Sequence, residues 1–141
     1  MANLKVAAGG PVTREELVEL YGSVGWSAYT ADPDTLVRAV EGSSFVVTAR
    51  RDGRLVGLAR AISDDATVCY LQDILVAPEG QRSGIGAALV RAVLDRYSGV
   101  RQKVLLTDDE PRQRAFYESL GLTEIRDVDG GSLRAFVRFG P

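Results

Sequence analysis

The chain of 141 residues contains no histidine. This absence excludes serine–histidine and cysteine–histidine nucleophile pairs and any histidine base or zinc ligand. A single cysteine, Cys69, cannot form an internal disulfide or a structural zinc site, so we expect no bound metal. Catalysis must then use carboxylates, hydroxyl groups of tyrosine, serine or threonine, backbone groups, or the substrate itself.

Long apolar runs and basic runs are also missing. No segment reaches the roughly 18 apolar residues of a membrane helix, and the N-terminus lacks the apolar core of a signal peptide. Together with the lone cysteine, this favours the cytoplasm. The net charge of −2 and the lack of a basic run argue against a nucleic-acid partner. The length and the apolar fraction of 45% predict a single domain over residues 1–141.

The stretch from Tyr70 to Tyr97 organises the rest of the chain. Tyr70 to Val76 is mostly apolar and ends before Pro78, which predicts a buried strand. A glycine-rich turn follows, and from Gly86 to Tyr97 the apolar residues have the spacing of an amphipathic helix. This arrangement can bind an anion, because the first N–H groups of a helix have no partner within it.

The sequence of this turn does not match either of two common nucleotide-binding motifs. A Walker loop needs Lys followed by Ser or Thr, where this chain has Ala87 and Ala88, and a Rossmann fingerprint needs glycine at Leu89. The segment Gln81–Gly86, QRSGIG, instead resembles the [QR]-x-x-G-x-[GA] acetyl-CoA loop of the GNAT N-acetyltransferase superfamily. It matches every fixed position and lies between the predicted strand and helix. The alternative is a tight turn that binds no ligand.

A second resemblance covers Arg114 to Leu122, RAFYESLGL, on a helix predicted over Pro111–Leu120. It is similar to the A-x-x-FY-x-x-x-GF signature of GNAT members, with a shorter spacing between Ala and Phe. Many members carry Asn seven residues before the tyrosine, where it contacts coenzyme A, whereas this chain has Glu110. The resemblance therefore supports the helix but does not carry over that contact.

The remaining patterns follow the GNAT order of elements. Thr13 and Glu16 have the spacing of a capping box before a first helix, and Asp32 or Asp34 can cap a second. The predicted strands are Leu4–Ala7, Phe45–Ala49, Leu55–Ile62, Tyr70–Val76, Val104–Thr107, Thr123–Arg126 and Leu133–Phe139.

The resemblance implies an α/β (α+β) chain with the GNAT fold: a mixed, mostly antiparallel sheet of about six or seven strands flanked by about four helices. It also implies acetyl-CoA as the co-substrate. An extended pantetheine arm can pair with a strand edge, and its diphosphate with the loop N–H groups. The residues implied to bind acetyl-CoA are Ile74, Leu75, Val76, Gln81, Arg82, Ser83, Gly84, Ile85, Gly86, Ala87 and Phe116.

Acetyl transfer to an amine also needs a proton for the thiolate leaving group and an uncharged amine. Tyr117 is the candidate acid, because a phenol with a pKa near ~10 lies not far above a thiol near ~8.5. The alternative is that Tyr117 only packs. Asp73 is the candidate base, acting through water, or the group that attracts a cationic amine, with Gln72 beside it.

Trp26 and Tyr29 lie in a predicted irregular loop, Gly25–Thr30, between the first two helices. They either pack these helices onto the sheet or, as the resemblance implies, line the acceptor pocket together with Gln72.

These patterns predict an acetyl-CoA-dependent N-acetyltransferase that acts on a small cationic primary amine by direct attack in a ternary complex. The alternatives are a protein or peptide N-acetyltransferase and a non-catalytic acyl-CoA-binding module of the same fold. The expected partners are acetyl-CoA and an amine acceptor, without nucleic acid or membrane, and a homodimer is compatible with the sequence.

Overall fold

A computed structural model describes residues 3–140 of the chain. Residues 1, 2 and 141, which the predicted domain range includes, lie outside the described residues. The chain divides into two compact units, and the boundary in the sequence falls between Leu106 and Thr107. The single domain over residues 1–141 stays a prediction.

The first unit contains a five-stranded sheet in the order β1-β2-β3-β4-β5. Strands β1 to β4 pair with their neighbours in an antiparallel manner, and β5 is parallel to β4. This confirms a mixed, mostly antiparallel sheet, with fewer strands than predicted. The strands are β1 Leu4–Ala8, β2 Phe45–Arg51, β3 Arg54–Ser63, β4 Val68–Val76 and β5 Gln102–Leu105.

Helices cover both faces of this sheet. A Cβ atom at Gly57 of β3 would lie 3.0 Å from a Leu89 methyl group, whereas Arg60 of the same strand reaches the Ala39 carbonyl. Three positions separate Gly57 from Arg60, so their side chains point to opposite faces. No helix among residues 3–140 has both the length and the apolarity that a membrane crossing requires. The helices of the first unit are α1 Arg14–Ser23, α2 Ser27–Thr30, α3 Pro33–Glu41 and α4 Ile85–Arg96, with a 3₁₀ turn at Pro78–Gly80.

The local capping signals are formed as the sequence predicts. Thr13 and Glu16 make a reciprocal capping box at the start of α1, and the Asp32 side chain accepts the Thr35 N–H at the start of α3. The irregular loop predicted over Gly25–Thr30 is wrong in its second part. There Ala31 N–H donates to the Ser27 carbonyl at 2.9 Å and closes the one helical turn of α2.

The second unit holds helix α5, Pro111–Ser119, and a 3₁₀ segment, Ile125–Gly130. The two final strands predicted at Thr123–Arg126 and Leu133–Phe139 are not formed, so these predictions are wrong. Arg114 of α5 forms ion pairs with Glu124 and Asp127, which hold the first of these segments in a turn. Leu133–Phe139 then lacks the neighbouring strand that a ladder needs, although its apolar pattern suits a strand.

Tyr97, just beyond α4, offers a stability test. Its hydroxyl oxygen is buried, and no group among residues 3–140 hydrogen-bonds to it. Its ring packs edge-on against Phe45 with centroids 6.0 Å apart, and phenylalanine would keep that packing. Because no protein hydrogen bond is lost, we expect Tyr97→Phe to leave the free energy of unfolding within about 1 kcal/mol of the parent, or higher. Urea denaturation measures this, and a larger loss would reveal a partner for the hydroxyl.

Candidate functional site

The glycine-rich turn joins the 3₁₀ turn after β4 to helix α4. Residues 81–84 are exposed, and Ile85, the first residue of α4, is buried. Arg82 and Gly84 have φ angles of 62° and 85°, in the left-handed region. The Ser83 hydroxyl donates to the Gly80 carbonyl and closes the turn on itself. The turn therefore has a defined shape, which its own residues determine.

The N-terminus of α4 leaves backbone donors available. Ala88 N–H donates to the Gly84 carbonyl at 3.1 Å, and it is the first such bond of the helix. The N–H groups of Ile85, Gly86 and Ala87 precede this bond, and no side chain among residues 3–140 caps this helix end. By contrast, Thr13 and Asp32 cap α1 and α3, whose first turns also carry acidic residues. The first turn of α4 carries no acidic residue, so the positive end of this helix dipole can bind an anion.

Strand β4 presents an open edge next to this turn. Ala77 N–H donates to the Val56 carbonyl at 2.8 Å, so Ala77 directs its backbone groups toward β3. Residues of an antiparallel pair alternate between facing the partner and facing away. Leu75 therefore also faces β3, whereas Ile74 and Val76 face away from it, toward the side on which β5 lies.

The strand that could cover this edge stops short of it. β5 pairs with β4 only from Val68 to Leu71, so from Gln72 onward β4 has a strand partner among residues 3–140 only on its β3 side. The Gln81 amide nitrogen donates to the Val76 carbonyl at 3.0 Å and ties the turn to the strand end. Both backbone groups of Ile74 and the Val76 N–H remain on the open edge, and an extended amide chain could pair with them.

A buried polar cluster lies between β4 and the helices α1 and α2. Asp73 and Arg60 form an ion pair with Nε and Oδ2 2.6 Å apart, and their side chains are only 3% and 7% exposed. Tyr21 donates to Asp73 Oδ2 and Tyr29 donates to Oδ1, each at 2.9 Å. The exposed Gln72 amide donates to the Tyr29 hydroxyl at 3.3 Å. The structure thus places Asp73 beneath Gln72 and Tyr29, with both carboxylate oxygens occupied.

Electrostatics in the cluster follow from this packing. Burial, and next the adjacent Asp73 carboxylate, raise the pKa of the Tyr21 hydroxyl well above its usual range. Burial alone would lower the pKa of Arg60, but the hydrogen bond and the attraction to Asp73 outweigh it, and the pKa is raised. Tyr21 therefore stays protonated, Arg60 stays charged, and the ion pair carries no net charge.

Sequence reasoning missed Arg60 and Tyr21. Tyr21 belongs to the apolar stripe of α1, and its position there indicates an ordinary core residue. Arg60 carried a usable signal, because it interrupts the apolar run from Leu55 to Ile62, and a charge inside a buried strand needs a partner.

The aromatic rings of Tyr21, Trp26 and Tyr29 pack together beside this cluster. Trp26 lies 6.0 Å from Tyr29 and 5.8 Å from Tyr21, measured between ring centroids. Tyr21 is fully buried, whereas Trp26 and Tyr29 are half-buried. The predicted acceptor residues Trp26, Tyr29 and Gln72 are therefore brought together, next to the residue where β4 separates from β5.

Tyr117 and Phe116 lie on α5 in the second unit. Both are half-buried, and their rings pack edge to face with centroids 4.9 Å apart. Burial raises the pKa of Tyr117 to about 12, so the phenol carries its proton at neutral pH. Glu110, which stands where many GNAT members have Asn, precedes this helix and pairs with Arg112 at 2.9 Å. Among residues 3–140, no three acidic or cysteine side chains are grouped so as to hold a metal ion.

Comparisons with known proteins show which family the chain is similar to. The model of the acetyltransferase (GNAT) family matches residues 13–122. The uncharacterized N-acetyltransferase ycf52 of Pyropia yezoensis is 30% identical over 120 residues, which is 82% of this chain and 66% of that protein. The chain thus spans slightly under two thirds of that relative's length. Histone acetyltransferase TAP1 of Glycine max is 30% identical over 131 residues, covering 82% of this chain and 54% of that protein.

A solved structure shows the same fold. The GNAT family protein SP0256 from Streptococcus pneumoniae TIGR4 superposes with a TM-score of 0.81 at 26% sequence identity. The match covers 97% of this chain and all of that one. Because the family model matches most of this chain, the chain belongs to the acetyltransferase (GNAT) family.

Proposed function

We propose that this protein is an acetyl-CoA-dependent N-acetyltransferase that transfers the acetyl group to a primary amine by direct attack in a ternary complex. One observation carries the proposal: the open edge of β4 at Ile74 and Val76 runs into a turn that ends at the uncapped N-terminus of α4. An amide-bearing arm and a diphosphate on one ligand need these two features in this order.

The proposed donor site uses backbone groups for most of its contacts. Ile74 and Val76 pair with the pantetheine amides, and the N–H groups from Arg82 to Ala87 hold the diphosphate. Gln81 fixes the turn against Val76, and the exposed Arg82 side chain adds positive charge. Leu75 supports the edge from the β3 side. Phe116 stays a predicted contact of the coenzyme, on the resemblance of its helix to the family signature.

The proposed chemistry needs one proton to move to the leaving group. The amine nitrogen forms a bond to the thioester carbon while the carbon–sulfur bond breaks, and the sulfur takes a proton as negative charge develops on it. Tyr117 is the proposed donor, because it lies on the helix that resembles the family signature and holds its proton at neutral pH. Its pKa of about 12 makes it a weaker acid than a free phenol, so it donates only as negative charge develops on the sulfur. The amine nitrogen releases its own proton to solvent, and Tyr117 regains a proton from solvent before the next turnover. Trp26, Tyr29 and Gln72 form the proposed wall of the acceptor site.

A second candidate function is N-acetylation of a protein or peptide, which the similarity to histone acetyltransferase TAP1 favours. The third reading is an acyl-CoA-binding module without catalysis. Location in the cytoplasm and assembly as a homodimer stay predictions.

A screen of thiol release from acetyl-CoA separates these functions. We expect release to depend on a small primary amine in the panel and to be weak with lysine peptides. Release with peptides alone would favour the second function. Binding of acetyl-CoA by calorimetry without release for any acceptor would favour the third and contradict the proposal.

A further inference from the structure

We propose that Asp73 acts through Tyr29: it holds the Tyr29 hydroxyl oxygen as a hydrogen-bond acceptor, which binds an N–H group of the acceptor substrate. This inference rests on the proposed transferase function and specifies how its amine is selected. Asp73 then is a positioning residue, since its carboxylate is 3% exposed and does not reach the acceptor.

The direction of the hydrogen bond follows from the carboxylate. An ionised carboxylate only accepts hydrogen bonds, so the single proton of the Tyr29 hydroxyl is donated to Asp73 Oδ1 at 2.9 Å. Tyr29 therefore has only lone pairs to offer any further group. Arg60 also lies close to the Tyr29 hydroxyl, since hydrogen bonding to Tyr29 contributes to the raised pKa of Arg60, and the exposed Gln72 amide donates to the Tyr29 hydroxyl oxygen at a long 3.3 Å. A substrate N–H group could replace that amide, and Gln72 could then turn its carbonyl oxygen toward the same group.

The charge balance decides how the amine is recognised. Arg60 Nε lies 2.6 Å from Asp73 Oδ2 and balances its charge, so the cluster has no free negative charge to pair with a cationic substrate. A negative site would hold the amine in its ammonium form and oppose the deprotonation that attack requires. Two uncharged oxygen acceptors do not impose this cost. The predicted capture of a cationic amine by the Asp73 charge is thus replaced by recognition through hydrogen bonds.

The position of Tyr29 fits this role. Its partner Gln72 is the first residue of β4 beyond the pairing with β5, and Ile74 on the open edge follows two residues later. Two strand residues span about 7 Å, so the backbone of Gln72, whose side chain contacts Tyr29, lies about this far along β4 from the edge proposed for the donor.

The chain provides its own reporter of binding. Trp26 is its single tryptophan and lies 6.0 Å from the Tyr29 ring. Its fluorescence therefore reports amine binding at this place without any turnover. Benzylamine is the first probe, and benzyltrimethylammonium is its matched control, because it keeps a positive charge but has no N–H donor. We expect benzylamine to change the fluorescence saturably and the quaternary ion to bind at least about tenfold more weakly.

Tyr29→Phe and Tyr21→Phe form a matched pair of variants. Each removes one hydroxyl that donates to Asp73 at 2.9 Å, but Tyr21 is fully buried and Tyr29 is not. We expect Tyr29→Phe to weaken benzylamine binding about five- to tenfold and to raise the amine KM, with the acetyl-CoA KM unchanged. Tyr21→Phe should change benzylamine affinity less than about twofold, although it should destabilise the fold at least as much as Tyr29→Phe does, because its hydroxyl is the more buried of the two.

Asp73→Asn tests the positioning role directly. The new amide nitrogen can donate to Tyr29, which would turn the tyrosine proton outward and replace an acceptor by a donor. We expect the amine KM to rise while the acetyl-CoA KM holds. If this variant unfolds because Arg60 has lost its partner, the comparison of Tyr29→Phe with Tyr21→Phe still tests the inference.

Three results would overturn the inference: equal binding of benzylamine and the quaternary ion, unchanged benzylamine affinity in Tyr29→Phe, or no Trp26 response to any primary amine. Failure of the proposed function looks different. In that case benzylamine binds at Trp26 with the expected variant pattern, but no amine releases thiol from acetyl-CoA.

Discussion

Replacing Tyr117 by phenylalanine should lower kcat for acetyl transfer by at least about tenfold, because general acid catalysis contributes about 10²–10⁴-fold. The substitution keeps the ring that packs against Phe116 and removes only the hydroxyl. Acetyl-CoA affinity should therefore stay nearly intact. The measurement is steady-state thiol release with the best amine of the panel, together with calorimetry of acetyl-CoA binding.

Tyr97→Phe is the control for this variant, since it removes a tyrosine hydroxyl that is buried near the end of α4. It should leave kcat within about twofold of the parent enzyme. With the pKa of Tyr117 raised to about 12, loss of its proton should not lower activity anywhere in the neutral or mildly alkaline range. If Tyr117→Phe keeps the parent kcat, Tyr117 only packs and the proton has another source.

Gly84→Asp should remove most of the affinity for acetyl-CoA while the protein stays folded. A Cβ atom at Gly84 meets nothing within 4 Å, and a carboxylate near the N-terminus of α4 interacts favourably with the helix dipole. The same carboxylate would compete for the first N–H groups and repel a bound diphosphate. Two unit charges about 4 Å apart repel by about 1–4 kcal/mol between bulk water and a protein surface, which corresponds to a loss of affinity between about fivefold and about a thousandfold.

Gly84→Asn separates charge from backbone effects. Gly84 has a φ of 85°, which strains any other residue, but Asn and Asp are the side chains that tolerate it best. The two variants have nearly the same size, so the difference between their calorimetric affinities isolates the negative charge. Equal affinities for acetyl-CoA in parent, Asn and Asp proteins would place the diphosphate elsewhere.

The features that could be predicted from the sequence are local. The capping residues Thr13 and Asp32 act on N–H groups three residues away, and the turn Gln81–Gly86 follows directly from the strand before it. Such signals need no knowledge of the rest of the fold. The order of strands β1 to β5 was predicted from the family resemblance, which this turn supports.

The features that could not be predicted depend on distant partners. Asp73 stood out as an acidic residue near the proposed cleft, but its pairing with Arg60 depends on the register of β3 against β4. The apolar pattern of Leu133–Phe139 indicates a strand and says nothing of a partner for it. The predicted partner at Thr123–Arg126 is held in a turn by Arg114, a contact that no periodic pattern reveals.

The most direct test of the acetyltransferase account is to follow an isotopically labelled acetyl group. Acetyl-CoA labelled in the acetyl carbons is incubated with the protein and a panel of small primary amines, and the products are identified by mass spectrometry. An acetyltransferase with this donor site should form a labelled amide of at least one amine, at a rate that depends on the protein and falls strongly in Gly84→Asp. Bound acetyl-CoA that yields only labelled acetate, or no product from any amine, would contradict it.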